Sequence, residues 1–271
     1  MSSIFPAAIL GCAAALGVLD SANAAEMNAT QFKLLQSIHD AIELSGVCDD
    51  MQHCACPTAE WSTMENPCGW PGVTCDDGTE SRQVVGLSLN FCGLTHVPAP
   101  TLELTSLLTL DLSDNFLTDL PSGLDALQSL KSLYLSGNIM RVLPLVVFEL
   151  GLEVLHAARN LLDEVPPEIG ALSWTLDEIN LAYNSLGNIS DHFCECESIG
   201  IANFAHAELT GPLPMCLGEL ASLRRLDLSH NSVIFPVDDH DRSFPDLTNC
   251  TSLEWLDLSG AMLATVSRHV R

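Results

Sequence analysis

Apolar residues recur along most of this chain in a register that is neither helical nor strictly alternating. One unit places Leu107, Leu110, Leu112 and Leu117 around a polar Asn115. The same spacing returns at Leu130, Leu133, Leu135, Asn138 and Met140, then at Leu152, Leu155, Ala157, Asn160 and Leu162. It continues at Leu176, Ile179, Leu181, Asn184 and Leu186, and at Leu223, Leu226, Leu228, Asn231 and Val233. Weaker copies carry Cys92, Ala207 and Ala261 at the Asn position, so that position recurs eight times, at spacings of 23, 23, 22, 24, 23, 24 and 30 residues. A fixed period of this length marks a stack of like units. The two apolar residues one apart in each unit predict a short strand with one buried face. Stacking predicts a parallel sheet with strands about 4.8 Å apart. The Asn amide is suited to satisfying turn backbone between coils. Pro98, Pro121, Pro144 and Pro166 each fall six residues after the Asn position, which suits an irregular return path where no sheet N–H is needed.

This register resembles the leucine-rich repeat. The resemblance implies an α/β solenoid: a right-handed horseshoe with a parallel concave sheet, about eight repeats over residues 84–271, and a helical, disulfide-bonded N-terminal cap over residues 27–83. A solenoid end needs such a cover. Gln31 to Leu44 has Phe32, Leu35, Ile38 and Ile42 near helical period. Trp61 follows, then Asn66-Pro67-Cys68-Gly69-Trp70-Pro71-Gly72-Val73-Thr74-Cys75. That segment is similar to the cap signature of plant-type ectodomains, carried by receptor-like kinases, receptor-like proteins and polygalacturonase-inhibiting proteins. The resemblance implies a Cys68–Cys75 disulfide. Two features depart from the plant pattern. Cys48, Cys54 and Cys56 lie in an insertion, and only Leu209 to Pro214 has the Leu-Thr-Gly-x-x-Pro form.

The compartment reads from the start of the chain. Ile4 to Leu19 is an uncharged apolar run of 16 residues followed by Ala22-Asn23-Ala24. The run is shorter than the roughly 18 residues of a membrane span and predicts a signal peptide over residues 1–24. Ten of the 11 Cys follow it, as do sequons at Asn28, Asn188 and Asn249, candidates for glycosylation. An oxidising, extracellular location at the cell wall or cell surface is expected. Cys194 or Cys196 is placed to reach Cys216, one coil on, and Cys92 is either paired or a buried thiol. The last unit runs to Arg271 without a closing cap, which predicts an exposed C-terminal edge open to self-association, or a chain cut from a longer receptor.

Composition narrows the function. Ten Lys+Arg against 35 Asp+Glu give a formal charge of −25, which argues against nucleic acid as a partner. No nucleophile–base, P-loop, dinucleotide or zinc-protease motif is present in the sequence. No enzyme, metal or cofactor is therefore expected. Asp49, Asp50, His53, Cys54 and Cys56 read as disulfide territory rather than a zinc site, and Asp238, Asp239 and Asp241 as a solvated loop. Asp111, Asp227 and Asp257 read as solvated sheet residues. The outward strand positions carry the candidate chemistry. Tyr134, His156, Arg159, Tyr183 and His206 come from adjacent coils and are expected to cluster, with Arg225 and Trp255 further along the same face. Exposed aromatic and Arg side chains on a rigid sheet suit recognition of a protein, peptide or glycan. The expected function is a secreted, non-enzymatic recognition scaffold. The alternatives are the ectodomain of a membrane receptor, or a structural, adhesive wall protein.

Overall fold

The computed structural model describes residue 27 and residues 29–44, 56–63, 66–78, 81–232 and 244–261. The expected signal peptide, Asn28, Cys48, His53, Cys54, the Asp238 to Asp241 loop and the chain after Ala261 lie outside the described residues. Helix α1 (Ala29–Leu44) opens the cap, followed by β1 (Val73–Cys75). Eight strands then follow at the repeat period: β2 (Val84–Ser88), β3 (Thr109–Asp111), β4 (Ser132–Tyr134), β5 (Val154–His156), β6 (Glu178–Asn180), β7 (Ile201–Asn203), β8 (Arg225–Asp227) and β9 (Trp255–Asp257). All nine form one sheet in chain order. The strands β2 to β9 are parallel and pair without slippage, so that Leu87, Leu110, Leu133, Leu155, Ile179, Ala202, Leu226 and Leu256 form one row.

One strand departs from the all-parallel expectation. Strand β1 pairs antiparallel with β2, because the chain doubles back through a short connection rather than a full coil. Asp76 closes that hairpin: its carboxylate accepts from the Gln83 N–H at 2.8 Å, and its own N–H donates to the Gln83 carbonyl at 3.0 Å. The hairpin covers the sheet edge that β2 would otherwise expose.

The cap is tied to the first coil by polar and covalent links. Buried Gln31, on the inner face of α1, accepts from the Val84 N–H at 2.7 Å and donates to Gln83 at 2.8 Å. Leu35, Ile38 and Ile42 are buried as the helical period predicts. Trp61 and Trp70 stack with ring centroids 5.2 Å apart, and the Trp61 indole donates to the Pro71 carbonyl at 2.8 Å. The structure pairs Cys68 with Cys75 within the cap, and Cys56 with Cys92 between the cap and the first coil. Cys92 is thus bridged rather than a free thiol.

The row of Asn side chains holds the coils in register. Asn138, for example, accepts from the Leu117 N–H of the preceding coil at 2.9 Å, and donates to the Leu112 and Leu135 carbonyls, both at 3.0 Å. On the opposite side, Pro98, Pro121, Pro144, Pro166 and Pro214 each stand immediately before a 3-10 turn. Their fixed φ suits that entry, and no ladder bond is lost there.

The degenerate unit keeps its volume by redistribution. Ala202, Ala207 and Cys196 are small where other coils carry larger groups, and Phe193 and Phe204, both fully buried, meet edge to face at 5.3 Å. Cys196 and Cys250 are buried free thiols that take the place of a core Leu. Burial, aided by the nearby Glu195 carboxylate, pushes the Cys196 thiol up to about 12. At neutral pH it stays protonated and inert. Cys194, rather than Cys196, pairs with Cys216.

Candidate functional site

Three columns of outward residues line the open face of the sheet. The middle column reads Ser88, Asp111, Tyr134, His156, Asn180, Asn203, Asp227 and Asp257. Its Asp and Asn residues have a local task. The side-chain oxygens of Asp111, Asn180, Asn203, Asp227 and Asp257 each accept from the N–H two residues on, at 2.7 to 3.1 Å. These Asx turns end each strand and bend the chain out of the sheet. Asp111, Asp227 and Asp257 are therefore more than the solvated sheet residues expected from sequence. The backbone and hydroxyl hydrogen bonds of Ser259 hold the Asp257 carboxyl below the usual carboxylate range.

The residue just before each Asn position is left-handed. Phe91, Asp114, Arg159, Tyr183, His206 and His230 have φ between 52° and 57°, and Gly137 and Gly260 have φ of 72° and 65°. This region disfavours bulky side chains by roughly 1–2 kcal/mol per residue. The turn is over-determined by its neighbours. The N–H of Arg159 donates to the Ala182 carbonyl, that of Tyr183 to Ala205, that of His206 to Ser229 and that of His230 to Ser259, at 2.7 to 3.0 Å. The side chains are thereby aimed along one line, one coil apart.

That line is a stack of flat groups. The Arg159 guanidinium lies 5.6 Å from the Tyr183 ring centroid. Tyr183 stacks on His206 at 4.5 Å and 11°, and His206 stacks on His230 at 4.2 Å and 10°. Gly137 and Gly260 bracket the stack in the column. A Cβ on Gly260 would sit 2.6 Å from His230 Nδ1, so the last ring needs a glycine beside it. Tyr183 remains half exposed. Ala158, Ala182 and Ala205, which directly precede Arg159, Tyr183 and His206, form a small buried cluster of their own.

The structure divides the seven predicted residues into three groups. Tyr134 meets His156 edge to face at 5.0 Å, and His156 Nε2 lies 2.8 Å from Glu178 Oε1. Arg159, Tyr183 and His206 share the stack. Arg225 and Trp255 are register partners in the first outward column, near the far end of the sheet. Sequence reasoning missed the role of Glu178, the bracketing glycines and the left-handed backbone. A signal for the last was present: one repeat position collects two Gly, one Asp and two His, residues enriched in that conformation. Of the glycosylation candidates in the described residues, Asn188 and Asn249 are exposed.

Other charges on this side are spent on each other. Lys131 pairs with Glu153 at 3.3 Å, and Arg224 reaches both oxygens of Asp177 at 2.8 and 2.9 Å by passing over Gly200. Among the described residues, no group of three or more His, Cys, Asp or Glu is arranged to hold a metal. Among the same residues, no helix is long and apolar enough to cross a membrane.

The pattern of the Leucine rich repeat family matches residues 82–140. The fold is that of a leucine-rich-repeat solenoid. Its solenoid is similar to the ectodomain of the Arabidopsis receptor kinase HAESA, solved with a peptide hormone ligand, at 25% identity and a TM-score of 0.62 over 87% of this chain and 42% of that one. It is also similar to PEPR1 in the structure of PEPR1-AtPEP1, at 28% identity and a TM-score of 0.58 over 84% of this chain and 32% of that one. A plant ice-binding protein matches at 27% identity and a TM-score of 0.64, over 88% of this chain and 73% of that one. The chain thus spans less than half the length of the HAESA and PEPR1 chains that it matches. No curated protein sequence matches it significantly.

Proposed function

We propose that this leucine-rich-repeat chain is an extracellular, non-enzymatic scaffold that holds an extended peptide or protein segment on the open face of its sheet. The observation that carries the reading is the stack Arg159–Tyr183–His206–His230. Four flat polar groups are held in line by backbone hydrogen bonds, and Arg159, Tyr183 and His230 among them are exposed. Rigid aromatic and Arg groups anchor interfaces at little entropic cost. Tyr134 and His156 extend the surface toward the cap, and Arg225 and Trp255 extend it the other way. The HAESA ectodomain was solved with a peptide hormone, which supports a peptide for this related face.

The test is to pan a displayed random-peptide library on the full chain and measure the enriched peptides against variants. Tyr183→Ala and Tyr134→Ala are each expected to weaken binding by about tenfold or more. Enriched peptides that bind both variants with unchanged affinity would remove the proposed surface.

A further inference from the structure

A depression of about 450 Å³ lies at the cap end of the sheet, where β1, β2 and β3 meet, and its far wall, Tyr134, stands one coil before Arg159 of the ring stack. Its volume is within the roughly 300–1,000 Å³ of typical ligand sites. We propose that it receives one basic side chain, lysine or arginine, of a bound polypeptide. This rests on the reading of the sheet face as a polypeptide-binding surface.

The hollow has a sequence cause. The first outward column runs Gly86, Thr109, Ser132, Val154, Glu178, Ile201, Arg225 and Trp255. Small residues open the column near the cap, and large ones fill it further along. A Cβ on Gly86 would lie 3.0 Å from the Thr74 Cβ, so the depression depends on that glycine.

Three features of the lining select a basic side chain. Val85 and Leu108 give apolar surface against which a methylene stem can lie. Asp111 supplies a carboxylate whose two protein partners, the Ser113 N–H at 2.9 Å and the Ser88 hydroxyl at 3.0 Å, are both neutral. Tyr134 brings an aromatic ring to the same wall, suited to a cation. No lining residue is cationic. The nearby Lys131 is turned to Glu153 at 3.3 Å. An ammonium or guanidinium would thus give Asp111 the charge-assisted partner it lacks in the lining. An acidic side chain would meet like charge there. The chain's formal charge of −25 adds long-range attraction for a basic partner.

The test titrates the full chain with N-acetyl-arginine methylamide, its lysine counterpart, and the uncharged citrulline and norleucine analogues. The readout is the amide resonances of Gly86, Thr109 and Ser113. The two basic probes should give saturable shifts, with the uncharged probes at least about tenfold weaker. Asp111→Asn should abolish that preference while the strand end stays formed. Asn180 and Asn203 make the same turn in the same column, accepting from the Ala182 and Ala205 N–H groups at 3.1 and 3.0 Å. Thr109→Ile, which introduces what Ile201 supplies further along that column, should fill the depression and remove the shifts from every probe. Tyr183→Ala should leave the probe shifts unchanged, which separates failure here from failure of the ring stack. The proposal is overturned if norleucine binds as well as arginine, if Asp111→Asn keeps the preference, or if the basic probes shift other residues or none.

Discussion

Replacing Asn231 with Ala is expected to cost about 3 kcal/mol of stability, roughly twice the loss for Asn184→Ala. The difference lies in how many N–H groups each side chain serves. Asn231 Oδ1 accepts from two buried N–H groups, those of Ala207 and Leu209, at 3.1 and 3.0 Å. Its amide also donates to the Phe204, Leu228 and Ser229 carbonyls. Asn184 Oδ1 accepts from one N–H only, that of Leu162, at 3.0 Å. An orphaned buried donor costs about 1–3 kcal/mol, whereas a carbonyl with two lone pairs is more easily satisfied. The second bond comes from the N–H of Ala207, the residue that stands in place of Asn in the preceding coil. Asn115 makes the same pair of bonds for Cys92 and Leu94, beside the gap at the first position of the row. Urea unfolding, with hydrogen exchange at Ala207 and Leu209, would check the claim. Equal losses for the two variants would refute the double-acceptor account.

Breaking the Cys56–Cys92 link is the second large effect. The double variant Cys56→Ser, Cys92→Ala removes a bridge that spans a sequence separation of 36 residues. Loop-closure entropy puts the loss at about 4 kcal/mol, against about 2.5 kcal/mol for a loop as short as Cys68–Cys75. Alanine is the fitting replacement at 92, because Ala207 and Ala261 occupy the equivalent position in other coils. The bridge joins cap to solenoid, so its loss should release the cap before the repeats. Trp61 and Trp70, stacked inside the cap, report that step by fluorescence. A single transition in which fluorescence and circular dichroism coincide, at unchanged stability, would show that Gln31 and the apolar face of α1 hold the cap unaided.

Much of the clustering at the candidate site was legible because the period of the repeat assigns every outward residue to a column. Tyr134 with His156, and Arg159 with Tyr183 and His206, meet as their neighbouring coils require. Arg225 and Trp255 do not join that group, because they lie in another column, on the two coils after that of His206. The depression near the cap was not legible. It depends on β1 folding back antiparallel, and no repeat position encodes that turn.

The sequence by itself determined the repeat, the parallel strands, the buried rows and the Asn row, because each follows from spacing within a coil or between adjacent coils. It also exposed the clustering of aromatic and basic residues on one face. Only the tertiary structure decided that Cys92 pairs with Cys56 and that Cys194 rather than Cys196 meets Cys216, that the residue before each Asn is left-handed, and that four flat groups therefore stack between two glycines. These depend on distances across coils and on backbone hydrogen bonds between them, and a one-dimensional register fixes neither.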